Sequence, residues 1–430
     1  MIVSRHPRRP SLLPLFALSF IGAACGSSAT TPPPASATGC DNDASHPSGD
    51  GGGVGQDAGA NNSDAGGGNT DAGGTLADGM VLPEGAAPAE SGAPGVLGFT
   101  PSNVSVSANS SVGDLVISDP NYSIDTSAMK IDCVKPGEDG GVPYAFSSAM
   151  QSDGSQVTIL YVHSVIVQQG AAVSVKGAPP LVLVATTTVS IQGTVQSATP
   201  GNAGGPQVTQ SGAGGGPGGG ADGNHAGAGG GGYCGTGGPG APNDDATAPA
   251  AGGRSYGSAT LVPLIGGSAG GNHGDYNDGG EGGGAIQISA GTSITLGSVG
   301  VLNVPGYGGA NTGGGGGILL EAPQVTIDGI VAANGGGAGL GTPNSSGAGQ
   351  TGQPSAQPAA GGAATEGVGG AGTMINGTAG TYANGHAGSG GGAAGRIRIN
   401  TTSGAATLGS SAIVSPAMTT TCTTQGMLAK

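Results

Sequence analysis

The sequence predicts an all-β chain, a parallel β-solenoid of β-helix type that carries long glycine-rich excursions and is preceded by a disordered tether. Three observations predict it. First, a pattern of strand, corner, strand, Gly-containing corner and strand recurs. It is clearest in Ile318 to Leu320, Val325-Thr326-Ile327, Asp328-Gly329 and Ile330-Val331-Ala332. Leu181 to Val184, Val189 to Ile191, Gln192-Gly193 and Thr194-Val195 repeat it. So do Ile286 to Ile288, Ile294 to Leu296 and Val301-Leu302, and more loosely Ile397 to Ile399, Ala406 to Leu408 and Ile413-Val414. Short β-rich segments joined by tight corners make one turn of such a stack. Second, glycine accounts for 97 of 430 residues, several times its usual ~7%, and it concentrates between the repeats. Third, the chain has no Trp, and after the leader only Phe99 and Phe146 represent Phe. A core built on aromatics is excluded, whereas stacked Val, Ile and Leu can bury their faces against neighbouring turns.

The chain opens with an export signal at residues 1–24. Arg5, Arg8 and Arg9 form a basic region, and Leu12 to Ala24 is apolar but too short to span a bilayer. The run ends in Ile21-Gly22-Ala23-Ala24-Cys25-Gly26, which resembles a bacterial lipobox and makes Cys25 the lipidation candidate. Gly22 stands where that motif usually carries Leu. Arg8-Arg9 also suggests a twin-arginine signal, but Pro10 follows and no matching motif continues.

Residues 25–95 read as an acidic Gly/Ser/Asp/Pro-rich tether. They hold too little apolar surface to offset the entropy of ordering. Asp43, Asp50, Asp57, Asp64, Asp71 and Asp78 recur every seven residues without an apolar seam, so this is no coiled coil. The Gly/Asp calcium repeat has a period of nine, which does not fit either. The spaced negative charge keeps such a segment extended.

Residues 96–156 form an N-terminal β cap, with strands expected at Val104–Val106, Leu115–Ile117 and Met129–Ile131. Residues 157–416 are the glycine-rich solenoid. Val157, Ile159 and Tyr161 alternate at its start, and Pro179-Pro180 marks a corner where a missing N–H does no harm. The glycine tracts at 200–284 and 334–395 admit two readings. They are either mobile loops leaving one corner, or extended threefold polyglycine helices packed side by side, which only Gly permits at close approach. No strict Gly-X-Y period holds, so collagen is excluded. Residues 417–430 are expected to be a C-terminal tail.

Chemistry is sparse. Cys133, Cys234 and Cys422 are disulfide candidates whose pairing the sequence leaves open, and Cys40 lies in the tether. No Cys-x-x-Cys occurs, which disfavours zinc. Asp275, Asn277, Asp278 and Glu281 gather oxygen atoms that suit Ca²⁺, yet the spacing fails the EF-hand pattern. A solvated turn is the plainer reading, and no cofactor is otherwise implied. His163, Arg396 and Arg398 read as solvent-facing strand residues. The net charge of −15 opposes nucleic acid, whose phosphates need Lys and Arg.

The phrases Pro180-Leu-Val-Leu-Val-Ala-Thr-Thr-Thr-Val-Ser-Ile-Gln-Gly193 and Gly391-Gly-Ala-Ala-Gly-Arg-Ile-Arg-Ile-Asn-Thr401 resemble glycine-rich exported proteins, often lipoproteins, of myxobacteria-like Gram-negative bacteria. The resemblance implies export and no catalytic residue. The expected function is a lipid-anchored structural or adhesive protein at the outer membrane or cell surface. Its expected partners are the membrane, through the lipid, and extracellular polysaccharide or other surface proteins. The alternative is a carbohydrate-active β-helix enzyme. It would need Glu321, Asp328, Arg396 and Arg398 to converge, with help from Asp275, Asp278 or Glu281.

Overall fold

The computed structural model describes residues 97–106, 112–132, 144–198, 214–223, 226–243, 248–272, 280–310, 312–339 and 347–430. The leader, Cys25, the tether, Cys133, Asp275, Asn277 and Asp278 lie outside the described residues. Among the described residues the regular structure is all strand, with no helix, and most pairing is parallel.

Three sheets carry the fold. The chain enters sheet 1 through β1 (Asp114–Ile117) and sheet 2 through β2 (Tyr122–Asp125), then doubles back in β3 (Lys130–Asp132), antiparallel to β2. Sheet 3 opens with β4 (Ala145–Met150), antiparallel to β5 (Gln156–Val162). From β5 onward the chain visits sheet 3, sheet 1 and sheet 2 in that order, circuit after circuit. The first circuit is β5, β6 (Ser164–Val167) and β7 (Ala172–Lys176), and the second is β8 (Leu181–Ala185), β9 (Thr188–Ile191) and β10 (Thr194–Ser197). The third is β11 (Ala285–Ala290), β12 (Ser293–Leu296) and β13 (Val301–Asn303), and the fourth is β14 (Gly317–Glu321), β15 (Gln324–Ile327) and β16 (Ile330–Ala332). A small antiparallel hairpin, β17 (Tyr382–Ala383) and β18 (His386–Ala387), precedes the fifth circuit of β19 (Arg396–Thr401), β20 (Thr407–Leu408) and β21 (Ile413–Ser415). Finally β22 (Thr423–Met427) returns to sheet 3 beside β19.

Register puts like on like. Leu181, Ile286, Ile318 and Ile397 stack in one column of sheet 3, and Leu183, Ile288, Leu320 and Ile399 in the next. These columns face the core together with Val189, Ile294 and Val325 of sheet 1 and Val195, Leu302 and Val331 of sheet 2. Each such side chain contributes about 1.5–3 kcal/mol on burial, so this core is an aliphatic stack, with Tyr122, Tyr144 and Phe146 packed only against its margin.

Strand composition follows from how many faces are covered. Sheet 1 has one face in the core and one in solvent, and its strands alternate, as in Thr188-Val189-Ser190-Ile191. Sheet 3 is buried on both faces, so Leu181–Ala185 reads as an unbroken apolar run. Its outer face is covered by Leu97, Phe99 and Val104 and by Tyr233, Leu261 and Leu264.

Two expectations change here. Val104–Val106 forms no strand. It belongs to a strap that runs over sheet 3 and spends its apolar side chains on that face, so alternation there reflects packing without pairing. Residues 417–430 do not simply trail the last circuit, since β22 adds a rung to sheet 3. The residues aligned with the Ile397 and Ile399 columns are Thr423 and Gln425. As no further rung stacks on them, polar side chains suit these places and the apolar signal of a strand is lost. The Thr423 hydroxyl donates to Pro416 O at 2.6 Å, and Gln425 Oε1 accepts from Ala406 N at 2.6 Å.

Connections from sheet 3 to sheet 1 and from sheet 1 to sheet 2 are short. The glycine-rich stretches all join sheet 2 to sheet 3, after β10, β13 and β16. Residues 226–235, 266–272, 312–316, 333–338 and 387–395 of these stretches are buried, whereas most of 347–386 is half-buried or exposed. In residues 388–395, the amides of Gly388, Gly391 and Ala394 donate to the carbonyls of Thr381, Thr378 and Ile375. Those of Gly390 and Ala393 donate to Ala228 and Gly231, and those of Gly392 and Gly395 to Gly336 and Ala333. Every third residue therefore addresses the same neighbour. A period of three without internal bonds is that of the polyproline-II type helix. The described glycine tracts thus form a bundle of side-by-side threefold helices, the second of the two sequence readings.

Candidate functional site

Glu321, at the end of β14, is a deeply placed charge, 1% exposed. The strap lies over it. Ser102 donates from its amide at 3.1 Å and from its hydroxyl at 2.5 Å. Gln287 Nε2 at 2.9 Å, Ser289 Oγ at 3.2 Å and Asn400 Nδ2 at 3.0 Å complete the shell. Five neutral donors saturate the carboxylate, which removes the cost of burying it bare. Asn103, next in the strap, donates to Leu261 O at 2.8 Å and to Gln287 Oε1 at 3.1 Å. Glu321 thereby pins residues 97–106 to sheet 3.

Arg398 reaches this network through Asn400, donating from Nε to Oδ1 at 2.7 Å, and also binds Gln425 O at 2.9 Å. Burial lowers the guanidinium from its ordinary pKa, and the Glu321 charge offsets part of that effect. Arg396 faces a different set. Its Nε and Nη2 donate to Tyr256 O at 3.0 and 2.7 Å, and it lies 5.7 Å from the Tyr233 ring centroid. The Tyr233 and Tyr256 hydroxyls donate to Ile265 O and Gly266 O, both at 2.7 Å, and burial raises both phenols. Neither Arg is a free solvent-facing group, contrary to expectation: Tyr256 of the covering loop engages Arg396, and Asn400 with the β22 carbonyl of Gln425 engages Arg398. A cleft of about 410 Å³ opens beside that loop between Pro179, Pro180, Pro217 and Ile265.

Asp328 sits on the turn between β15 and β16, where its carboxylate accepts Ser411 N at 3.1 Å. The structure brings Glu321 and Arg398 together through Asn400. It gives Arg396 and Asp328 separate partners. Glu281 offers its main-chain carbonyl to Tyr307 N at 3.0 Å. Among the described residues, no group of three or more His, Cys, Asp or Glu side chains is arranged to hold a metal ion. Of the cysteines, Cys234 and Cys422 are joined in a disulfide. His163 lies exposed at the corner before β6, 2.7 Å from Asp114, whose carboxyl is held below its usual value by bonds from Ser164 and His163.

One further acid lies inside the glycine bundle. The Glu366 side chain has 0% exposure. It accepts Ser389 N at 2.8 Å, faces His386 Nε2 at 2.9 Å, and accepts the Thr365 hydroxyl at 3.3 Å. Desolvation lifts its pKa, with the bonds from Ser389, His386 and Thr365 pulling the other way. A carboxyl raised by folding holds its proton more tightly in the folded chain. Its favourable contribution is full below the ordinary value of 4.5 and is lost as pH climbs through the folded value. Glu366→Gln should therefore gain on the wild type as pH rises from about 4 to about 7. Thermal melts across that range check this, and a constant difference in Tm would refute it.

Among the described residues, the outer face of sheet 1 is a regular open surface. Val116, Ile166, Ser190, Thr295, Thr326 and Thr407 form one column across six strands. Thr188, Ser293 and Gln324 form the next across β9, β12 and β15. Val116 and Ile166 are 46% and 40% exposed. Sequence reasoning saw the alternation that creates this face but not its alignment, which only register supplies. It also missed Ser102, Asn400 and Glu366, whose partners are distant in sequence; a lone Glu in a glycine tract was the one available hint. No protein-family model, curated protein or solved structure matches the chain.

Proposed function

We propose that this chain is a lipid-anchored, surface-displayed parallel β-solenoid with a structural or adhesive role. The repeated visit to three sheets in one order supports the solenoid reading, since stacked circuits bury a continuous core. The observation that carries the functional reading is the register of sheet 1, which leaves one open face with the same two outward positions repeated rung after rung. A repeated surface of this kind suits contact with another extended surface. The Cys234–Cys422 disulfide accords with an oxidising, exported setting, and the apolar run ending in Ala24-Cys25 supplies the anchor. The carbohydrate-active alternative draws less support, because Glu321 lies beneath the strap with its oxygens already bonded.

The test compares cells that display the wild-type chain with cells carrying Cys25→Ser. The wild type should fractionate with membranes, react with antibody on intact cells and promote attachment to polysaccharide-coated surfaces. The variant should be released or left unprocessed, and attachment should fall to the level of cells lacking the chain. Equal membrane retention of the two overturns the anchor. Attachment unchanged by loss of the chain overturns the adhesive role, and polysaccharide cleavage that disappears in Glu321→Gln or Arg398→Ala replaces it with the enzyme.

A further inference from the structure

The geometry points to the open face of sheet 1 as a binding surface for ice. The argument starts from the spacing of hydroxyls. Adjacent strands lie about 4.8 Å apart, so Ser190, Thr295, Thr326 and Thr407 offer one hydroxyl per rung along their column. Hydroxyls that far apart cannot bond one another, because an O–H···O bond needs about 2.8 Å. A single water between two of them can bond both. Two such bonds meeting at the tetrahedral angle span about 4.6 Å, which is the second-neighbour distance of tetrahedrally bonded water. The rung spacing therefore matches a repeat of the ice lattice to within a few tenths of an ångström. The column of Thr188 and Ser293 adds a second rank, about 6.8 Å away along each strand.

Three further observations select this ligand. Thr188, Ser190, Ser293, Thr295, Thr326 and Thr407 are all described, and none of their hydroxyls is bonded within the protein, unlike Ser102, Ser289, Thr401 and Ser415 elsewhere. The outward positions of β9, β12 and β15 carry no charge and no aromatic ring. Sugars are commonly gripped through ring stacking and charged or amide groups, and Gln324 is the one such group on these three strands. Val116 and Ile166 extend the Ser190 column with exposed methyl groups, and threonine adds its own. Methyls beside unsatisfied hydroxyls order water without dispersing it as charges do.

This inference stands on the register and the outward side chains of sheet 1 and holds whether or not Cys25 carries a lipid. The test is slow freezing of a solution of the purified full chain on a cold finger, with ice and liquid fractions assayed for protein. The wild type should be enriched several-fold in the ice over Thr295→Tyr/Thr326→Tyr, whose rings stand off the lattice, and it should facet growing ice crystals. Ser293→Lys, a second disruption of the same face, should also be excluded from the ice. Gln196→Tyr, outward on sheet 2, should be retained like the wild type. Thermal melts establish that each variant is folded. Exclusion of the wild type from ice overturns the proposal, as does equal retention of the wild type and both sheet 1 variants. Retention lost equally in Gln196→Tyr would also overturn it, by showing that the face is not the determinant.

Discussion

Gly392→Ala is expected to destabilise the folded chain by roughly 3 kcal/mol, the upper end of what overpacking costs, or to prevent folding. A Cβ on Gly392 would come closer than 3.0 Å to the Gly313 carbonyl oxygen and carbon. Both are main-chain atoms of a neighbouring helix, so no side chain can swing aside to relieve the contact. Relief requires the two helices to separate, and the amides of residues 388–395 bond three neighbouring segments while Ala393 O accepts from Gly315 N of the Gly313 segment. The strain therefore spreads through the bundle. Gly98→Ala is the control, because nothing lies within 4 Å of a Cβ there. Denaturant unfolding measures both, and equal midpoints for the two variants would refute close helix packing.

Removing the disulfide is expected to cost about 2–5 kcal/mol. Cys234 lies in the glycine bundle and Cys422 just ahead of β22, 188 residues apart in sequence. Such a long closed loop puts the constraint on the unfolded chain near the top of that range. Local packing supports the bond, since Cys234 N donates to Ala394 O and Ile397 N donates to Cys422 O. Both cysteines thus flank the segment through which the bundle passes into β19. Cys234→Ser/Cys422→Ser should melt earlier than the oxidised wild type, and reductant should lower the wild type to the level of the variant. A wild type indifferent to reductant would contradict a stabilising role.

Much of the strand layout was legible in the sequence because two kinds of burial leave two kinds of pattern. Val189-Ser190-Ile191 alternates since sheet 1 has a wet side, and Leu181 to Val184 does not since sheet 3 has none. The pattern failed where burial and pairing part company. Val104 and Val106 alternate within a strap, while Thr423 and Gln425 pair within a sheet without apolar character. The choice between the two readings of the glycine tracts was illegible for another reason. Their specificity lies in main-chain bonds, which Gly388, Ala393 and Ala394 make equally well, so a structural period of three leaves no period of three in the residues. The Glu321 network was hidden because its covering donor, Ser102, is 219 residues away. The partner of Cys234 was hidden likewise, since only the bundle sets where residue 234 comes to rest.

The threefold helices have a consequence for how the protein can change length over generations. A helix that repeats every three residues keeps all its carbonyls and amides aimed at the right neighbours only if it gains or loses residues in threes. A single inserted residue turns everything beyond it by a third of a revolution, and Gly391 would then address the neighbour meant for Gly392. Insertions and deletions surviving within residues 388–395 or their partner segments should therefore come in multiples of three residues, nine nucleotides at a time. The short turns between sheet 3 and sheet 1 are under no such rule, and there inheritance should favour no change of length at all.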